Sequence, residues 1–322
     1  MIDSLITSWE EYRRVEEALR RGRGPVLLTG PAQIHKAQFL CALSHGLGKG
    51  ALVLTQDEQS ALRLCEDLNL FAGEPIAWHY PERELTLGEV EGISREYEHL
   101  RLAVLGRLQG EPGTIAVASA AAAVQPVTPP EVLRERTFAL EPGQELPQEE
   151  LVARLLAAGY ARSSQVEGVC QFAVRGGILD FWPPDRSQPV RMEFWGDEID
   201  TLASFSAETQ RREDTLDRVT VTPARELLYT TEELARLLKN HLESLTPRQR
   251  EVGGPPLERA IARLREGLDL ACADRYLPLI YPKTATLLSY LSGRFLAVSE
   301  GAAVRESLLH SRWMEDEDIK AL

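Results

Sequence analysis

Several residue types are scarce in this chain of 322 residues, and each shortage removes a class of function. Cysteine stands only at Cys41, Cys65, Cys170 and Cys272, with no CxxC pair, so no metal knuckle is predicted. Reduced thiols in a cytoplasmic protein fit this usage best. Histidine is dispersed over His35, His45, His79, His99, His241 and His310 without an HxxxH pair, and no metal or cofactor is expected. Long apolar runs are missing; the alanine-rich stretch 114–124 is far too short to cross a bilayer. Asp3, Glu10 and Glu11 stand where a signal peptide would carry a basic-then-apolar leader. Positive charge is also short. Lys+Arg number 36 against 49 Asp+Glu, a formal net charge of −13 that repels a phosphate backbone. The local clusters Arg13-Arg14, Arg20-Arg21 and Arg211-Arg212 are flanked by glutamates and read as solvated helix ends. Nucleic-acid binding as the main task is disfavoured.

What is present is enough for ordinary cores: hydrophobic residues make up 43%, and the length suggests two domains, three if one is small. Residues 2–20 place Leu5, Trp9, Tyr12, Val15 and Leu19 at helical spacing. An apolar strand at 25–29 (PVLLT) and a helix to Leu47 follow, then strand Ala51–Thr55, helix 59–68, strand 76–80, helix 91–109 and strand 114–118. This alternation predicts a parallel sheet with flanking helices. Residues 126–130 read as a linker. Pro147 opens a helix over 148–158 that Gly159 ends.

The stretch 170–212 then reads as a small antiparallel meander, with turns at Arg175-Gly176-Gly177, 183–188 and Trp195-Gly196-Asp197. Alternation puts Val190, Met192 and Phe194 on one face and Arg191 and Glu193 on the other. Arg175 and Arg191 are read as unburied, and Trp195 as lying in a turn. Such residues suit a protein-binding surface. On pattern alone the plainer alternative is favoured: solvated arginines on an ordinary sheet, with a tryptophan capping its edge. Beyond the meander, Thr230 and Glu233 form a capping box for a helix to about Leu245. A second helix is predicted over 255–273, a strand over Phe295–Val298, and an acidic tail over 313–322. The predicted fold class is therefore α/β, a parallel sheet interrupted by a small α+β inserted domain with an antiparallel sheet. Domains are expected at 1–127, 128–214 and 215–322, the last returning to the α/β body.

The segment after 25–29 stands where a phosphate-binding loop would stand. That motif, G-x-x-x-x-G-K-[ST], needs glycines whose amides wrap phosphate, a lysine, and a hydroxyl for magnesium. Gly30 and Lys36 keep the spacing, while His35 replaces the second glycine and Ala37 the hydroxyl. The late strand should end in Asp-Glu to anchor magnesium and water, and here it ends in Ser299-Glu300. Two losses on one scaffold predict an inactive RecA/helicase-like body with no catalytic residues, no hydrolysis and at best weak nucleotide binding.

At these residues a resemblance enters. The segment FAVRGGILDFWPP, followed by PVRMEFWGDEIDTLASFSAETQR, resembles the inserted domain shared by UvrB proteins and the transcription-repair coupling factors. YPERELTLGEVEGISREYEHLRLAVL, TIAVASAAAAVQPV and RYLPLIYPKTATLLSYLSGRFLAVSEG extend it over nearly the whole chain in the same order. UvrB keeps a working phosphate loop and a long β-hairpin, for which 80–91 leaves no room here. The departures resemble the N-terminal module of the coupling factors, and the chain is taken as an N-terminal fragment of one. The resemblance implies recruitment of UvrA through the inserted domain, with contacts carried over to Arg175, Arg191, Trp195 and Arg162. A further UvrB arginine falls on Ala173, so the contact set is only partly shared. Other domains of the complete protein are expected to mask this surface, and RNA polymerase and DNA to be engaged outside the fragment. The competing reading is an ATP-dependent UvrB-type damage-recognition helicase, which Ala37 and Ser299 oppose. A DNA-binding clamp without ATPase is opposed by the net charge.

Overall fold

A computed structural model of the protein describes residues 6–83, 96–270 and 273–321, with side chains to 312. In chain order its elements are α1 (Glu10–Arg20), α2 (Gln33–Leu47), β1 (Ala51–Thr55), α3 (Glu58–Ala72), β2 (Ala77–Tyr80), α4 (Glu96–Gly110), β3 (Ile115–Ser119) and α5 (Ala120–Val124). Next come α6 (Pro130–Arg136), β4 (Phe138–Leu140), α7 (Gln148–Ala157), β5 (Ala161–Arg162), β6 (Gln171–Arg175), β7 (Ile178–Phe181), β8 (Val190–Trp195) and β9 (Glu198–Phe205). The chain closes with β10 (Arg212–Thr215), β11 (Val219–Val221), α8 (Thr231–Ser244), α9 (Pro247–Arg265), β12 (Phe295–Val298) and α10 (Gly301–Ala321). Two compact units result. The first gathers the described residues within Met1–Arg83, Val104–Gln125 and Thr286–Leu322, the second those within Glu84–Ala103 and Pro126–Ala285. No described helix is long and apolar enough to cross a membrane.

The first unit is built on a four-stranded parallel sheet in the order β12-β1-β3-β2. Every residue of β1 and β3 is buried, as expected of parallel strands covered on both faces. Ala37, Leu40 and Cys41 of α2 and Ala61, Leu64 and Leu68 of α3 cover one face, against Ala51, Val53, Ile115 and Val117. Local signals set the helix limits. Asp57 caps α3 by accepting the Ser60 amide hydrogen bond at 2.7 Å, and Gly48, left-handed at φ 62°, ends α2. The predicted strand at 25–29 does not form. Leu28 packs against the cluster that holds Tyr12, Phe39 and Leu43, but Leu27 is 87% exposed and the segment joins no ladder. An apolar run becomes a strand only where a neighbour takes up its backbone donors and acceptors. β12 consequently remains an edge strand, with Leu296 and Val298 exposed. The predicted starts of the first and fourth helices, and most of the short connection 80–91, lie outside the described residues.

The second unit holds a six-stranded sheet in the order β10-β9-β8-β7-β6-β5, antiparallel except for the parallel pair β5–β6. One face buries Phe172, Leu179, Phe181, Val190, Met192, Ile199 and Leu202 against Leu151 and Leu155 of α7 and against the β4–β11 ribbon. The helical hairpin α8–α9 has its own core of Leu234, Leu238, Leu242, Leu257, Ile261 and Leu264. Thr230 caps α8 through the Glu233 amide, as its sequence predicts. The following helix differs from prediction. It starts at Pro247, fixed by a capping box of Thr246 with Gln249, runs through Gly253-Gly254-Pro255-Pro256, and stops at Arg265. Glycine and proline at these four positions disfavour a helix, yet packing of Leu257 and Ile261 on α8 outweighs the lost hydrogen bonds.

A buried ion pair ties this unit together. Arg101 Nε donates to Glu226 Oε1 at 2.6 Å, and both side chains are fully enclosed. The Glu226 amide donates to Glu98 Oε1 at 2.8 Å, and its carbonyl accepts from the Tyr281 hydroxyl at 3.2 Å and from the Thr128 hydroxyl. Removing one charge strands the other in a low dielectric. Arg101→Met is expected to lower unfolding stability by about 3–5 kcal/mol. Arg101→Met with Glu226→Leu should cost less than the single change, as measured by urea denaturation.

Candidate functional site

The face of the six-stranded sheet turned away from α7 carries the arginines. Registers align Ala173, Asp180, Arg191 and Ala203 in one row, and Arg175, Ile178, Glu193 and Thr201 in the next. Asp180 is the centre of the first row. It accepts from Arg191 Nε at 2.8 Å, from Arg191 Nη2 at 2.9 Å, and from Arg175 Nη2 at 2.6 Å. Its side chain is 1% exposed, so the carboxylate is held by guanidinium groups in place of water.

The two arginines are not equivalent. Arg175 ends β6 and keeps 45% of its side chain exposed, whereas Arg191 keeps only 15%. Arg191 is therefore half-buried, less open than its place on the polar face implies. Its guanidinium lies 4.5 Å over the Phe205 ring and donates through Nη1 to the Gln210 carbonyl at 3.0 Å. Gln210, at φ 59°, also donates to Ala207 O at 2.8 Å and Val166 O at 3.3 Å, which closes the neighbouring loops over Val166, Ala173 and Phe205. That cover leaves Arg175, Glu193 and Trp195 among the more open residues of these strands. Trp195 ends β8 at the Gly196 turn and is 82% exposed. Arg162 is exposed on the edge strand β5, in register with Phe172, and so lies off the row of Arg191.

Asp180 is not among the residues singled out from the sequence. The signal was legible. Aspartate is disfavoured in strands, and alternation puts this one on the arginine side of a run whose other face is Leu179 and Phe181.

The degenerate loop sits at the edge of the first unit. α2 begins at Gln33, so His35 is an exposed helical residue whose amide donates to Ala32 O at 2.9 Å, followed by Lys36 at 3.3 Å. Amides that would wrap a phosphate are spent in the helix. Gly30 keeps a left-handed φ of 98°, and Ala37 is fully buried. Lys36 Nζ is held by Glu300 Oε1 at 2.5 Å, Gln33 Oε1 at 3.1 Å and Ser299 Oγ at 3.2 Å. The structure thus brings Lys36, Ser299 and Glu300 together, as the spacing implied, and joins them to one another.

A third polar group lies at the C-terminal ends of the parallel strands, where open α/β sheets receive ligands. Glu58 accepts from Ser119 Oγ at 2.9 Å and the Glu82 amide at 3.0 Å, and its Oε2 lies 2.8 Å from His79 Nε2. Gln125 adds paired bonds of 2.8 Å to the backbone of Arg83. Through the Glu82 amide and Gln125, the group clamps the chain after β2. Burial raises the Glu58 pKa, and the His79, Ser119 and Glu82 contacts outweigh it, leaving the carboxyl below its ordinary value.

Comparison with known proteins bears on the arginine face. Residues 138–227 match the UvrB interaction domain family. Along its length the chain is similar to transcription-repair-coupling factors: 28% identical to that of Bacillus subtilis over 92% of this chain and 26% of the relative. It is 33% identical to that of Myxococcus xanthus over 80% of this chain and 22% of the relative. It is also 25% identical to UvrABC system protein B of Thermosipho africanus over 73% of this chain and 38% of the relative. The chain spans about a quarter of the length of the first of these relatives. It resembles the UvrB-like module of the coupling factors, as its motifs implied.

Three outcomes follow from the geometry. Asp180→Asn, which leaves two guanidinium groups without their shared charge, is expected to cost about 3 kcal/mol in chemical denaturation. Arg191→Ala should cost more than Arg175→Ala in the same measurement. A depressed glutamate pKa gives stability that is present above the unfolded value, about 4.3, and lost as pH falls through the folded value. Glu58→Gln should flatten that acid limb of the stability–pH curve.

Proposed function

We propose that this chain is the UvrB-like module of a transcription-repair coupling factor, a non-catalytic body that recruits UvrA in transcription-coupled nucleotide excision repair. The observation that carries the reading is the exposed pair Arg175 and Trp195 on a rigid sheet, within the segment that matches the UvrB interaction domain. Arginine and tryptophan are the residue types that dominate interface hot spots, and a sheet anchored through Asp180 presents them at little ordering cost. Arg191 contributes by aligning the carboxylate that orients Arg175, and Arg162 lies at the rim. Support for catalytic silence comes from the loop: helix-bonded amides, a buried Ala37, and a lysine already paired to Glu300. The masking of this surface by further domains, and contacts with RNA polymerase and DNA, belong to the complete coupling factor in this proposal. The same reading places the protein in the cytoplasm, where such repair takes place.

The test is UvrA binding by the wild-type chain beside Arg175→Ala and Trp195→Ala, with circular dichroism to confirm folding. Each substitution is expected to weaken binding by about 2 kcal/mol, roughly thirtyfold. Equal binding by wild type and both variants would place the interface elsewhere.

A further inference from the structure

We propose that the Glu300 carboxylate is a built-in occupant of the anion position at Lys36, so that the first unit carries its own substitute for a bound phosphate. Three side-chain oxygens satisfy the Lys36 ammonium, and Glu300 gives the shortest contact, 2.5 Å. The Lys36 side chain is only 17% exposed, so an outside anion must displace Glu300 to reach it. Glu300 stands two residues after β12, and its pairing ties the edge strand of the parallel sheet to α2. A phosphate in a working loop makes the same connection between the lysine and the acidic strand.

Two further features agree. Glu300 adopts a left-handed φ of 57°, a conformation that side-chain-bearing residues rarely take, and from it the carboxylate meets Lys36. The Lys36 hydrogen bond and charge hold the Glu300 pKa below its ordinary value, so the occupant is an anion at neutral pH. A carboxylate on the same chain competes with free anions at a high effective concentration. The inference rests on the non-catalytic reading and deepens it, since it explains how a loop that kept its lysine is closed to nucleotides.

The test is thermal unfolding of wild type, Glu300→Gln, Glu300→Gly and Lys36→Ala/Glu300→Gln, with and without millimolar inorganic pyrophosphate at matched ionic strength. Glycine suits the left-handed backbone at this position, so Glu300→Gly removes the carboxylate without burdening the fold. Wild type should ignore pyrophosphate. Both single variants should be stabilised by it, with an apparent affinity at least about tenfold above wild type, and the double variant should not respond. Single variants that ignore pyrophosphate, or a wild type that responds as strongly as they do, would overturn the proposal. Phosphate release from ATP by wild type, followed in parallel, would instead overturn the non-catalytic reading.

Discussion

Asp180 is a carboxylate in the middle of a sheet face, shielded from water and bound by two guanidinium groups. Everything on that face depends on this arrangement. A buried carboxylate must be paired, and the pairing decides what each arginine has left to offer. Arg191 gives both its Nε and Nη2 to Asp180, its Nη1 to the Gln210 carbonyl, and its flat face to Phe205. Little remains for a partner. Arg175 gives one Nη2 and keeps the rest of its fork in solvent. Ala173 and Ala203 flank the row, and both are buried. A longer side chain at Ala173 would crowd Val166 and Phe205, its partners in one buried cluster.

Each unit also contains an ion pair that reaches across the sequence, and their environments give them different tasks. Arg101 and Glu226 lie in a fully enclosed site where the pair joins α4 to the chain after β11, and its worth lies in what its loss would expose. Lys36 and Glu300 meet near the surface, with Glu300 mostly solvated, so that pair adds little stability and acts through occupancy. In a chain of net charge −13 each of these contacts also removes a cation that could draw a phosphate backbone. The acidic balance and the paired cations favour protein recognition over nucleic-acid recognition.

Much of the fold was legible because short-range rules decide it. β12 forms over the residues predicted, α7 starts after Pro147, and Thr230 caps its helix. The failures came where long-range contacts outweigh local preference. Residues 25–29 have the composition of a strand and no ladder to join, while Gly253-Gly254-Pro255-Pro256 have the composition of a break and lie inside a packed helix. For the candidate site, alternation showed where Arg175, Arg191 and Trp195 stand, but on pattern alone they read as solvated arginines and an edge tryptophan; only the family resemblance raised them to contacts, while the loss of the glycine and hydroxyl predicted an inactive loop.

What the sequence by itself determined is therefore the set of chemical groups and the face each strand residue takes, because a two-residue period and a fixed composition need no partner to be read. Only the tertiary structure decided how those groups are used. Asp180, Phe205 and Gln210 come together through strand register and loop closure, which turn one arginine inward and leave the other exposed. Lys36 and Glu300, separated by 264 positions, meet because β12 lies beside β1 at the end of α2. Exposure and pairing are properties of neighbours in space, and those neighbours are set by packing between distant parts of the chain.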